Sequence, residues 1–344
     1  ATLAIGAPGI LRAQESALVV VSGGGPYEEA IRKAILDPFQ REMGIKVTYV
    51  TPADSAKLKA QVDSNNLQWD VVELSIPAFR PDADKYCEEI DYGAFDKETL
   101  DNLVPEGKMK HAVGSYVYST VMAFSTAEYP ADKPRPGSWA EFWDAGKFPG
   151  PRSLLGDGDY STIEFALLAD GVPKDKLYPI DFDRAFASLD RIKPHITKYW
   201  SDGADVGQFL SDRQVGMASA WNGTMEFLKA QDAPLDYQWN EGQLSPLHWV
   251  VPKGTKNRDA AMQFVAYQAS AQAQARLNNL IFYGPLNRAA FKYIEPKTAA
   301  KLPTAPENIE KQYFVDLAYW QAQSPSGKTN TEVLVERWIK WVAS

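Results

Sequence analysis

Three times in this chain a short apolar run meets glycine and passes straight into a helix start. LVVVS (Leu18–Ser22) reaches Gly23-Gly24-Gly25 and then Pro26, SLLGDGD (Ser153–Asp159) precedes a helix expected from about Thr162, and VGMASA (Val215–Ala220) reaches Trp221-Asn222-Gly223 before a helix expected from Thr224. Such runs suit buried strands, and proline suits the first turn of a helix. IKVTYV (Ile45–Val50) and WDVVEL (Trp69–Leu74) read as further strands. Helices are expected at about Tyr27–Leu36 and Ala53–Val62, with Asp37-Pro38 recapping a short helix that Gly44 ends. Strands separated by helices call for an α/β fold with a parallel sheet and right-handed crossovers.

The chain's 344 residues suffice for two lobes. After the strand-like Tyr116–Ser125, the segment Tyr129–Gly150 is rich in Pro, Gly and Trp and reads as a crossing between lobes plus surface turns. His248–Val251 reads as a strand stopped by Pro252, and Arg258–Ala269 as a helix. Thr329 and Glu332 have capping-box spacing, with Leu334, Trp338 and Trp341 on one face of the last helix. At the other end, Ala1–Ala13 reads as the tail of a secretory signal or an N-terminal arm. The first reading starts the mature chain near Gln14 or Glu15 and places it outside the cytoplasm, although Leu11 is larger than the small residue expected there.

Composition narrows the chemistry. Lys and Arg number 36 against 44 Asp and Glu, a net charge of −8, which speaks against nucleic acid as a partner. No apolar stretch reaches the ~20 residues of a membrane span. Three His and one Cys offer no metal-ligand spacing, so no metal and no cofactor is expected. GxSxG, P-loop, dinucleotide and HExxH motifs are absent. Asp157 and Asp159 form a carboxylate pair, but Asp-Gly-Asp is more commonly a polar turn. An acid/base enzyme built on the two aspartates stays as the alternative from another class.

The three helix starts point to binding. Open α/β sheets hold ligands in the crevice at the carboxyl ends of their strands, where free N–H groups and the helix dipole favour carboxylates. Tyr27, Tyr118, Tyr160, Trp221 and Tyr283 stand at strand ends or glycine turns, where a ring can wall a solute site or face a cation.

Several segments in order resemble the periplasmic spermidine/putrescine-binding proteins of ABC importers. These are PYEEAIRKAILDPFQREMGIKVTYV (Pro26–Val50), WDVVEL before Ser75, PGSWAEFWD (Pro136–Asp144), VGMASAWNGT (Val215–Thr224), VVPKGTKNRDAAMQFVAY (Val250–Tyr267) and FYGPLNRAA (Phe282–Ala290). The resemblance implies a two-lobe type II periplasmic-binding-protein fold, with a hinge of crossing strands and the solute in the interlobe cleft. One lobe would comprise 14–124 and 248–290, the other 125–247 and 291–344. Ligand-facing positions carried over from the resemblance are Tyr27, Ser75, Tyr118, Asp157, Trp221 and Tyr283. Gly24 and Gly25 occupy the turn where the polyamine binders place an aromatic.

The chain departs from that pattern where the polyamine binders grip amines with acids. Those positions are Ser161 and Leu247 here, and a buried ammonium without its carboxylate is costly. The expectation is therefore a monomeric, periplasmic solute-binding protein without catalytic activity, delivering a polyamine-like or GABA-like amine to a membrane ABC permease complex. A small carboxylate with Arg80 as counter-charge is the alternative ligand, with Arg80 at the surface as the plainer reading. A ferric-ion carrier ranks low, because no Tyr-Tyr pair occurs.

Overall fold

A computed structural model describes residues 17–74, 82–156 and 158–344. The expectations for Ala1–Ala13, Ser75, Arg80 and Asp157 lie outside these residues.

Among the described residues ten strands form one mixed sheet: β1 Leu18–Val21, β2 Val47–Val50, β3 Val71–Leu74, β4 Lys108–Met109, β5 Ala112–Ser125, β6 Arg152–Leu155, β7 Ile196–Trp200, β8 Met217–Trp221, β9 Leu235–Val250 and β10 Tyr313–Phe314. Their order is β2-β1-β3-β9-β5-β8-β6-β7, with β10 beside β9 and β4 beside β5. The two flanks, β2-β1-β3 and β8-β6-β7, are parallel as expected. The expectation of a wholly parallel sheet is corrected at the centre, where β3–β9, β9–β5 and β5–β8 are antiparallel. β5 has 14 residues, or about 45 Å at ~3.3 Å per residue, so it runs through both hydrophobic cores. Val113 and Tyr116 join one core with Leu18, Ile31, Phe39, Trp249 and Phe264. Met122 and Phe124 join another with Trp139, Phe165, Trp320, Trp338 and Trp341. Between them lie Val117–Val121, bracketed by slips of the antiparallel register between Gly114 and Tyr116 and between Thr120 and Met122. We read that stretch, with the facing part of β9, as the hinge. Phe291, Ile294 and Leu302 pack with Ala275 and Ala290 in a small cluster of their own.

Pro38 does not start a new helix. The helix Pro26–Ile31 widens into a π turn at Arg32–Leu36 and continues as Asp37–Met43, with no side-chain cap at the junction. Proline lacks the N–H that Ala34 four residues earlier would accept. The freed Ala34 carbonyl instead accepts from Nε of Arg276 at 2.9 Å, a donor that local sequence does not reveal. Other expected starts shift slightly: the helix after β6 is Tyr160–Ala169 and that after β8 is Asn222–Lys229. Arg258–Ala269 and the Thr329/Glu332 capping box form as expected.

Candidate functional site

A row of aromatic rings crosses the hinge. Tyr116 and Tyr118, two apart on β5, project to the same face. Tyr116 lies 5.5 Å from Tyr27 and stacks on Tyr283 at 4.9 Å, with ring planes 9° apart. Tyr283 meets Tyr118 edge-on at 6.3 Å, and Tyr118 meets Trp221 edge-on at 6.1 Å. Trp221 ends against buried Trp200 at 5.0 Å. Tyr27, Tyr118, Tyr283 and Trp221 are only partly buried.

Backbone bonds fix this row. Val117 and Gly284 exchange N–H···O bonds of 2.8 and 2.7 Å, which brings the Tyr283 segment to the hinge. Asn222 then ties it to the β8 turn: its Nδ2 donates to the Phe282 carbonyl at 2.5 Å and its Oδ1 accepts from the Ser119 N–H at 2.9 Å. Gly223 is required here, because a Cβ would collide with the Tyr283 ring.

A carboxylate stands at each end of the row. Asp159 caps the helix Tyr160–Ala169. It accepts from the Ser161 N–H at 2.7 Å and from the Ser161 hydroxyl at 2.5 Å. Burial raises its pKa against the pull of these two donors. Burial and then the charge of Asp159 push the Tyr118 phenol upward. Tyr160 adjoins Tyr118 and stacks on Trp320 at 5.7 Å.

At the other end Glu73, on β3, is 4% exposed. Both of its oxygens accept from the Tyr27 hydroxyl at 2.9 Å, and Oε2 also accepts from Ser22. Burial raises its pKa, and hydroxyls of Ser115, Ser22 and Tyr27 oppose that rise.

Of the expected site residues, Tyr27, Tyr118, Trp221 and Tyr283 come together. Gly24 and Gly25 are exposed in the turn before Tyr27, with Gly25 at φ +64°, a conformation that favours glycine. Ser161 is fully buried and gives its hydroxyl to Asp159, so it stands behind that carboxylate. Leu247 packs at the edge of the first core. The expectation that the helix start near Thr162 receives a solute carboxylate is corrected, since Asp159 already occupies it. The start of Asn222–Lys229 has no side-chain cap and keeps that capacity. Tyr116 and Glu73 were hidden inside strand-like runs. A groove of about 790 Å³, walled in part by Val104, Leu286, Phe291 and Ile294, shares no residue with the row.

The profile of the bacterial extracellular solute-binding protein family matches residues 34–306. The chain belongs to that family. It is 34% identical over 339 residues to the gamma-aminobutyric acid-binding protein of Pseudomonas aeruginosa, covering 96% of this chain and 92% of the relative. To the spermidine/putrescine-binding periplasmic protein of Escherichia coli it is 24% identical, covering 79% of each. A solved ABC transporter substrate-binding protein from Bradyrhizobium japonicum superposes with a TM-score of 0.87 at 36% identity, covering 95% of this chain and 99% of the other. The two-lobe fold and the resemblance to ABC-importer binding proteins therefore hold, and this solute-binding protein is of the class that serves membrane permeases. No helix among the described residues is long and apolar enough to cross a membrane.

Proposed function

We propose that this solute-binding protein works in the periplasm as a monomer and catalyses no reaction. It captures a small GABA-like zwitterion in the interlobe cleft and presents the closed form to an ABC permease. The observation that carries this reading is the aromatic row with a carboxylate at each end, buried Glu73 and half-buried Asp159. Ring faces and carboxylates both favour an ammonium. The uncapped start of Asn222–Lys229, beside Trp221, favours a carboxylate. The GABA-binding relative supports this choice of solute. Contacts from both lobes stabilise the closed state and so make the solute the signal for closure.

A thermal-shift screen tests the reading. A ligand of the folded state adds RT ln(1 + [L]/Kd), about 2.7 kcal/mol at a hundredfold excess over Kd, which is a shift of several degrees. GABA and close ω-amino acids should raise the melting temperature, and dicarboxylates such as succinate should not. A response confined to dicarboxylates would favour the small-carboxylate alternative instead.

A further inference from the structure

Four buried acids among the described residues invite comparison. Asp70 accepts from the Val19 N–H at 2.8 Å, the Thr255 hydroxyl at 2.5 Å and Asn257 Nδ2 at 3.0 Å, and so fastens β1 to the loop after β9. Glu164 accepts from Tyr178, Gln243, Tyr313 and Trp320 inside the second core. Glu226 pairs with Lys301 at 2.8 Å. Each of these three is matched by scaffold donors or by a cation. Glu73 differs. Its hydroxyl donors are Ser115 on β5, Ser22, next to the glycine turn, and Tyr27, a wall of the cleft, and no described Lys, Arg or His forms an ion pair with it. Burial and, with it, the charge of Glu73 push the phenols of Tyr27, Tyr49 and Tyr116 upward.

The strand explains the placement. Along β3, Glu73 shares a face with Val71, which belongs to the first core together with Tyr116. An apolar residue would satisfy that core without desolvating a charge. A carboxylate here holds a negative charge one layer behind partly exposed tyrosine rings, at the cleft end away from Asp159.

We infer that Glu73 sets the charge class of the solute, making the first-lobe end of the cleft a subsite that accepts an ammonium and rejects a carboxylate. This rests on the reading of the cleft as an amine site. The ammonium rests on the face of Tyr27, and Glu73 acts through that ring, whose hydroxyl it holds.

Calorimetry on the full chain with GABA, n-butylamine and butyrate tests this. In the wild type, butylamine should bind more tightly than butyrate. Glu73→Gln keeps the side-chain volume and removes the charge. It should weaken GABA and butylamine at least tenfold and leave butyrate unchanged or tighter. Tyr27→Phe removes the phenol that Glu73 holds but leaves the charge, and should preserve the preference for amine over acid. If Glu73→Gln weakens all three probes by one common factor and Tyr27→Phe does the same, Glu73 only positions Tyr27 and the inference fails while the amine reading stands. A wild type that prefers butyrate to butylamine overturns the amine reading itself. Glu73→Asp, which keeps the charge but withdraws it by one methylene, should give the same ordering in smaller steps and serves if the Gln variant does not fold.

Discussion

Replacing Asp159 by Asn should weaken an amine-bearing solute by about two orders of magnitude while the protein stays folded. The substitution separates two roles of one side chain. Asparagine caps helices about as well as aspartate, so the start of Tyr160–Ala169 survives and the bond from the Ser161 N–H has an acceptor. What is lost is the negative charge beside Tyr118 and Tyr160. A hydrogen bond to a charged group contributes about 1.5–3 kcal/mol, and the ammonium left without its partner in a desolvated cleft adds to the loss. Since ~1.4 kcal/mol is tenfold in affinity, a loss near 3 kcal/mol is about a hundredfold. Titration calorimetry reads the affinity and circular dichroism the fold. Equal affinities for wild type and variant would remove Asp159 from the site.

Glu164 carries the largest expected effect on stability. It is fully buried and receives the hydroxyls of Tyr178 and Tyr313, the Gln243 amide and the Trp320 indole N–H. Glu164→Ala orphans four donors at once where the helix behind Asp159 meets β9, β10 and the C-terminal segment. The loss should be about 3–5 kcal/mol, as for breaking other buried networks, read as a lower denaturation midpoint. The acid also gives stability a pH slope. Burial raises its pKa from 4.5 to about 7, against the pull of its donors. The folded protein then holds this proton more tightly than the unfolded chain does. Its contribution is fully present below about pH 4.5, falls as pH rises toward 7 and is flat above, by up to about 3 kcal/mol. Glu73 and Asp159, also raised, slope the same way, so the difference between wild type and Glu164→Gln isolates the Glu164 part. The Gln variant should lose less stability between pH 4.5 and 7 than the wild type, and parallel curves would contradict the assignment.

Local signals carried much of the fold. β1, the helix Arg258–Ala269 and the Thr329/Glu332 cap are legible because their determinants lie within a few residues of each other. Features that depend on distant partners are not. The first part of β9, through Gly242 and Pro246, reads as irregular until β5, about 120 residues earlier, pairs with it. Pro38 reads as a break until Arg276 takes up the Ala34 carbonyl.

The site divides in the same way. Tyr27, Tyr118, Trp221 and Tyr283 stand beside turns or at strand ends, where an aromatic is conspicuous. Tyr116 and Glu73 lie within buried-looking strands, and only the Tyr283 stack and the bonds from the Tyr27 hydroxyl join them to the row. Asp159, legible as one of two neighbouring acids, gains its meaning from Ser161, which holds its carboxylate in place.

The most direct measurement is competition calorimetry of the wild-type protein with GABA and spermidine. Spermidine carries several ammonium groups, and each needs a partner when desolvated. The chain offers Ser161 and Leu247 where the polyamine pattern implies acids, with Ser161 turned to Asp159 and Leu247 packed at the first core. Two missing charged partners, at about 1.5–3 kcal/mol each, correspond to a factor of hundreds or more. GABA should bind and displace spermidine, whose own affinity should be weaker by at least that factor. Submicromolar spermidine with no response to GABA would contradict the account.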